Sequence, residues 1–214
     1  MTDRTAAHQR KAERRHHLAE IQEEQARTAR QRRVISLAGW AVGLLLVAGV
    51  ITAGLLSSKP QDQTAATPTP APTFTLTDTT GATVDLAALR GRNVILYFSE
   101  GAGCQSCLLQ MAQIEAQQAK FDEANITVLP IVMNTRDQIT ADMSANNVKT
   151  PFLLDDGTVS TEYGTIGRGM HAGLPGHSFV VVDSEGMQRW YGEYPSMWLE
   201  PGDLLAKAQT ALSS

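Results

Sequence analysis

The spacing of hydrophobic positions changes along residues 74–214, and it predicts which segments are strands and which are helices. Short apolar runs bounded by turn residues, such as residues 94–99, are typical of buried strands. Apolar side chains every three or four positions, as in residues 104–123, predict a helix with one buried face. The predicted order is a hairpin (74–77 and 82–85), a helical turn (86–89), a strand (94–99), a helix (104–123), a strand (126–133), a helix (136–146), a short strand or turn (150–155), two strands (178–183 and 187–191) and a closing helix (201–212). Alternating strands and helices followed by a hairpin predict an α/β domain with a mixed central sheet and an N-terminal β-hairpin.

A longer apolar run, residues 34–56, comes before this region and contains no charged residue. Twenty-three helical residues extend over about 34 Å, which is enough to cross the hydrocarbon core of a bilayer. A secretory signal has a shorter core of about 7–15 residues, and no cysteine marks a lipoprotein signal here. We therefore expect a transmembrane signal-anchor helix. The alternative, a helix buried in a soluble core, is disfavoured by the arginines before the run and the Ser-Ser-Lys-Pro after it.

The charge of −4 is distributed unevenly along the chain, and the distribution predicts a topology. Residues 1–33 carry nine Lys and Arg against five Asp and Glu, a net charge of +4, while residues 59–214 carry nine against 17, a net charge of −8. By the positive-inside rule, residues 1–33 are expected to be cytoplasmic and the acidic part to lie outside, in a single-pass protein of the plasma membrane. The basic segment is expected to be helical and to touch anionic lipid headgroups, and its interleaved acids argue against nucleic acid as a partner.

Residues 57–73 join the apolar run to the predicted domain and contain four prolines, at positions 60, 68, 70 and 72. This composition favours an extended polyproline spacer over a packed segment. The sequence therefore predicts four regions: a cytoplasmic basic segment (1–33), a transmembrane helix (34–56), a Pro/Thr-rich linker (57–73) and a folded domain (74–214).

The chain has two cysteines, Cys104 and Cys107, and they form a C-x-x-C motif between the predicted strand 94–99 and a helix. A thiol at a helix N-terminus has its pKa lowered below the usual value of about 8.5, which favours the nucleophilic thiolate. Cys107 lies one turn further on, where it can attack a mixed disulfide formed at Cys104. We expect Cys104 to be exposed and to act as nucleophile, and Cys107 to be more buried and to act as the resolving cysteine.

Three segments together resemble the redoxin branch of the thioredoxin fold: the entry over residues 74–91 (F-x-L, then G, then V-x-L-x-x-L-x-G), the C-x-x-C motif, and residues 179–186 (Phe-Val-Val-Val-Asp-Ser-Glu-Gly). That branch includes membrane-anchored TlpA- and ResA-like proteins and AhpC/TSA-related peroxiredoxins. The resemblance implies a thioredoxin-like fold and a thiol–disulfide oxidoreductase that needs no cofactor beyond its dithiol. It implies client proteins with thiols or disulfides outside the cytoplasm, and a membrane redox partner.

The residues around the motif depart from the thioredoxin pattern. Gly103 stands where thioredoxins usually have Trp, and Gln105 and Ser106 replace a pair that usually contains Pro. The cis-proline expected just before the strand at Ser178 is missing, since Pro175 lies three residues earlier. These departures leave the reduction potential and the direction of electron flow open.

A peroxiredoxin-type thiol peroxidase is a further alternative. The peroxiredoxin motif P-x-x-x-T/S-x-x-C would place Pro and Thr or Ser at positions that Tyr97 and Gly101 occupy relative to Cys104. The motif is therefore absent, and disulfide exchange is the favoured hypothesis.

His177 has three interpretations. It could assist the redox site by donating a hydrogen bond to a thiolate or moving a proton, or it could cap a strand end as a polar loop residue. It could also bind copper together with Cys104 and Cys107, because soft sulfur ligands and imidazole suit copper. The last arrangement resembles Sco-type copper chaperones, although those have C-x-x-x-C. His171 is expected in a flexible glycine-rich loop, and Glu100 is expected to be solvated.

Overall fold

The computed structural model describes residue 33 and residues 35–54 and 60–214, so most of the predicted cytoplasmic segment lies outside the described residues. The described residues divide into two units, one within residues 1–56 and the other within residues 57–214. The first contains helix α1 (Ile35–Gly54), whose 20 residues have a mean hydropathy of 2.1. By length and composition α1 is apolar enough to cross a membrane, a property that signal anchors and signal sequences share.

The second unit is built on one mixed sheet of eight strands in the order β1-β8-β7-β4-β5-β6-β2-β3. Strands β4, β5 and β6 are parallel to one another, whereas β7 and β8 run antiparallel to their neighbours. The elements are β1 (Gln61–Pro70), β2 (Thr75–Asp78), β3 (Thr83–Asp85), the 3-10 helix η1 (Leu86–Leu89), β4 (Asn93–Phe98), α2 (Gln105–Ala116), α3 (Gln118–Glu123), β5 (Ile126–Val132), α4 (Arg136–Ala145), β6 (Leu153–Leu154), α5 (Thr158–Glu162), β7 (Ser178–Val182), β8 (Met187–Glu193) and α6 (Pro201–Leu212). This is the mixed α/β arrangement with an N-terminal hairpin that the hydrophobic pattern predicted.

Strand β1 corrects the prediction of a free polyproline spacer over residues 57–73. It pairs antiparallel with β8 at the edge of the sheet, with Gln61 opposite Glu193. Asp62 accepts a hydrogen bond of 2.8 Å from the hydroxyl of Tyr194 and forms an ion pair with Lys207. The prolines of β1 are tolerated because an edge strand has one flank that needs no donors. The sheet therefore begins at residue 61, before the predicted start of the folded domain at residue 74.

Two of the helices differ from the sequence prediction. The single helix expected over residues 104–123 is two helices, because Gln117 leaves helical geometry (φ −110°, ψ 15°) between α2 and α3. The five residues of α5 were not predicted at all. Pro130 lies in β5 at a position that β6 leaves unpaired, since β6 pairs only with Ile131 and Val132.

The sheet is covered on both faces, and alternate residues of its central strands supply the two cores. One core joins one face of the sheet to helices α2 and α6, and its central side chains are Ile95, Tyr97, Leu108, Met111, Ile114, Phe179, Val181 and Leu204. The other core joins the opposite face to the hairpin and α5, with Val94, Leu96, Phe98, Val180, Phe74, Leu86 and Val159. Tyr97 consequently points toward the helix that carries the cysteines.

Candidate active site at Cys104 and Cys107

Cys104 and Cys107 are joined by a disulfide at the N-terminus of α2, with their Cα atoms 5.3 Å apart. Cys104 is the N-cap residue of the helix, and the backbone N–H of Cys107 points at its sulfur at 3.3 Å. The predicted strand–turn–helix setting of the motif is therefore present. On reduction, that N–H and the helix dipole favour a thiolate at Cys104.

Cys104 is the more exposed of the two cysteines, as the sequence predicted, but neither of them is an exposed residue. Cys107 is fully buried, whereas Cys104 retains 8% exposure and is better described as largely covered than as exposed. The neighbouring Gly103, Gln105 and Ser106 are exposed. A reacting group therefore reaches the pair from the Cys104 side.

The loop before Cys104 is held by side chains of the next strand–helix unit. Asn134 accepts a hydrogen bond from the N–H of Ala102 at 2.8 Å, and Asp142 accepts one from the N–H of Gly103 at 2.7 Å. Gly101 has a φ of +71°, and a Cβ there would lie 2.0 Å from the Asn134 side-chain oxygen. Only glycine fits at that position. The cysteine loop is thus fixed to the rest of the unit by polar contacts.

Glu100 is buried, which corrects the prediction that it is solvated. Its Oε1 accepts hydrogen bonds from the N–H groups of Met170 and His171 at 2.8 and 3.1 Å, and its Oε2 lies 2.7 Å from Nδ1 of His171. The glycine-rich loop, residues 164–173, folds over the carboxylate. Gly169 is so close that a Cβ there would lie 2.5 Å from Oε1. His171, expected in a flexible loop, is therefore held at its backbone and ring, although its side chain is largely exposed.

His177 is buried and connects to the redox turn through Tyr97. Its Nδ1 lies 3.3 Å from the hydroxyl of Tyr97, which also donates to the carbonyl of Cys107 at 3.2 Å. Its Nε2 lies 3.3 Å from Oε1 of Gln110. Burial lowers the pKa of His177 from 6.5 to about 3, so the ring is neutral at physiological pH. Burial also raises the pKa of Tyr97, which keeps its hydroxyl protonated.

The alternative copper set of Cys104, Cys107 and His177 is not grouped as a metal site in this structure. Across residues 60–214, no three His, Cys, Asp or Glu side chains are grouped so that they could hold a metal ion. The two sulfurs are bonded to each other, and both ring nitrogens of His177 face Tyr97 and Gln110. In this disulfide form, both ring nitrogens of His177 therefore have hydrogen-bond partners other than the cysteines.

Sequence reasoning missed four residues of the site: Tyr97, Gln110, Asn134 and Asp142. Tyr97 looked like one more apolar strand residue, and Gln110 and Asp142 looked like ordinary polar helix positions. Asn134 did carry a signal. It follows β5, which is parallel to β4, so the carboxyl ends of both strands meet at the edge where the cysteine loop lies.

A mixed sheet whose first parallel strand leads into a C-x-x-C helix defines a thioredoxin-like redoxin, and the Cys104–Cys107 pair is its redox-active dithiol. The AhpC/TSA family profile matches residues 68–190, more than half of the chain. The chain therefore belongs to the AhpC/TSA family and is a thiol-based oxidoreductase.

Two relatives whose names contain peroxiredoxin match this chain. A Mycobacterium tuberculosis protein with a provisional peroxiredoxin name is 32% identical over 121 residues, which cover 54% of this chain and 77% of that protein. Chloroplastic peroxiredoxin Q of Triticum aestivum is 30% identical over 122 residues, and the chain spans about half of that relative's length (55%).

Solved structures share the fold. A Bacteroides thetaiotaomicron protein provisionally described as a protein disulfide isomerase has a TM-score of 0.53 and 26% identity, covering 68% of this chain and 89% of that one. Enterococcus faecalis AhpC has a TM-score of 0.59 at 16% identity, covering 67% of this chain and 90% of that one, and this likeness bears on the fold alone.

Proposed function

We propose that this chain is a thiol–disulfide oxidoreductase that exchanges disulfides with client proteins outside the cytoplasm while anchored to the membrane. The observation that carries the proposal is the N-cap position of Cys104, where the Cys107 N–H meets its sulfur at 3.3 Å and where Cys107 is close enough to be bonded to it. One cysteine is thereby prepared to attack and the other to resolve.

The proposed exchange uses this geometry as follows. The Cys104 thiolate attacks one sulfur of a client disulfide, a mixed disulfide forms, and the client's other sulfur leaves as a thiolate that takes up a proton. The deprotonated Cys107 then attacks the Cys104 sulfur, which releases the second client thiol and forms the bond between Cys104 and Cys107. Two electrons pass from the dithiol to the client, and a membrane redox partner restores the reduced pair. The same steps in reverse oxidise a client.

A thiol peroxidase is the second candidate, and the peroxiredoxin names of the relatives favour it. The local sequence argues against it. Tyr97 and Gly101 occupy the Pro and Thr/Ser positions relative to Cys104, and Glu100 and Cys104 occupy them relative to Cys107. The hydroxyl and the proline of the peroxidase motif are therefore missing for either cysteine.

The two candidates are separated by reacting the reduced full-length protein, in detergent, with a protein disulfide such as that of insulin and with hydrogen peroxide. We expect rapid disulfide exchange that is lost in Cys104→Ser. Cys107→Ser should accumulate mixed disulfides, since the resolving thiol is gone, and Ser106→Ala serves as the matched control. Alkylation at neutral pH should modify Cys104 first, because Cys107 is fully buried. Fast peroxide reduction with a sulfenic acid on Cys104, and no trapped client, would make the protein a peroxidase instead.

A further inference from the structure

The side chain of Gln110 is fixed in one orientation by a single backbone residue. Its Nε2 donates to the carbonyl of Leu199 at 2.8 Å, and its Oε1 accepts from the N–H of Leu199 at 2.8 Å. Because one partner is a donor and the other an acceptor, flipping the amide would break both bonds. The atom that Gln110 presents to His177 is therefore its oxygen.

That oxygen selects the tautomer of His177. The ring is buried and neutral, so one nitrogen carries a hydrogen and the other a lone pair. Nε2 faces the Gln110 oxygen at 3.3 Å and must carry the hydrogen. Nδ1 is then an acceptor, and it lies 3.3 Å from the hydroxyl of Tyr97.

Tyr97 consequently has two acceptors for one hydrogen. Its hydroxyl is 3.2 Å from the carbonyl of Cys107 and 3.3 Å from Nδ1 of His177. All three groups are buried, so water does not compete for the hydrogen. Any share of the bond that goes to His177 is taken from the carbonyl of the resolving cysteine.

We propose that Tyr97 and His177 are positioning residues of the dithiol site, and that the hydroxyl hydrogen of Tyr97 is divided between the carbonyl of Cys107 and Nδ1 of His177. A hydrogen directed at that carbonyl brings positive charge to the first turn of α2, which favours a thiolate there. His177 opposes this effect by drawing the hydrogen away. The effect of this shared hydrogen on catalysis rests on the proposed disulfide exchange. The sharing itself does not.

The proposal predicts opposite effects from two substitutions. Tyr97→Phe removes the hydrogen and should slow alkylation of Cys104 at neutral pH in the reduced full-length protein. His177→Phe removes the competing acceptor and should speed it, and Gln110 still keeps both of its bonds to Leu199. Each change should lie within about two- to tenfold, the range of a single hydrogen bond. The double variant should behave like Tyr97→Phe, because no hydroxyl remains to be shared.

Shifts in the same direction, or independent additive effects in the double variant, would overturn the proposal, since a merely structural role would produce them. A second measurement needs no variant: nitrogen NMR of His177 should show the tautomer with hydrogen on Nε2, and hydrogen on Nδ1 would refute the sharing. If the opposite shifts and this tautomer are found but the protein exchanges no disulfides, the shared hydrogen stands and the proposed function fails.

Discussion

His177 lies deep in the unit, and its burial makes stability depend on pH. The pKa of its ring falls from 6.5 to about 3 because burial disfavours the charged form. Between these values the unfolded chain binds a proton that the folded chain does not, so the free energy of unfolding decreases as the pH falls from 6.5 toward 3. The loss at pH 4.5 attributable to this residue is about 2–3 kcal/mol.

This contribution can be isolated with the His177→Phe variant. Urea unfolding of wild type and variant at pH 7 and pH 4.5 should show a smaller loss of stability for the variant, by about 2–3 kcal/mol. The carboxylates are common to both proteins and cancel in the comparison. Equal losses in the two proteins would mean that His177 is protonated in the folded state.

At this scale, residue type predicted the centre of the site but not its surroundings. Cys104 and Cys107 were identified because two cysteines at this spacing have few structural alternatives, and His177 was identified by its place before β7. Glu100 was misjudged because its environment depends on a loop some 70 residues further along the chain. No local pattern records such a contact.

The glycine-rich loop depends on Glu100, and this gives a prediction at the scale of the element. Three hydrogen bonds to this carboxylate hold the backbone of Met170 and both the backbone and the ring of His171. Glu100→Ala should free the loop, and trypsin should then cleave after the exposed Arg168 at least about tenfold faster, since bonds to a charged group contribute roughly 1.5–3 kcal/mol. Mass spectrometry of the early fragments would measure the rate.

Glu185→Ala is the matched control, because Glu185 is an exposed residue in the turn between β7 and β8. It should leave the cleavage rate unchanged. If Glu100→Ala also leaves it unchanged, the loop is held by its glycine backbone packing, such as that of Gly176 against Arg168, and the carboxylate is dispensable.

Elements with a clear hydrophobic period were predicted well, and the others were not. The central strands and α6 were found because burial on one or both faces leaves a regular pattern. Strand β1 has the sequence QDQTAATPTP, with no apolar alternation, and is held by backbone pairing to β8 and by the contacts of Asp62. Backbone pairing at a sheet edge leaves no trace in side-chain hydropathy, so composition alone favoured a spacer.

At the scale of the whole molecule, the family and the site contribute different information. Membership of the AhpC/TSA family establishes thiol redox chemistry on a thioredoxin-like sheet. Whether a peroxide or a disulfide is the substrate depends on the residues around Cys104, where a C-x-x-C pair stands in place of the peroxidase motif. The same fold thus leaves room for a function other than the one in the relatives' names.

The compartment of the redox site is the last prediction, because a stable disulfide at Cys104 and Cys107 requires an oxidising setting or a partner that maintains it. The uncharged run over residues 34–56 is preceded by a segment of net charge +4, which favours retention of that segment in the cytoplasm. Protease added to intact cells should therefore degrade residues 60–214 and leave an N-terminal tag protected, as read by immunoblotting against both ends.

Replacing Arg30, Arg32 and Arg33 by Glu should weaken this orientation. The same change at Arg90, Arg92 and Lys149, which are exposed residues of the folded unit, is the matched control. A domain that stays fully protected in intact cells would place the dithiol in the cytoplasm, where reducing conditions would keep both cysteines as thiols. A domain released without α1 would identify the apolar helix as a cleaved signal sequence. Either result would contradict the anchored topology, and the first would also remove the oxidising environment that disulfide exchange with extracytoplasmic clients requires.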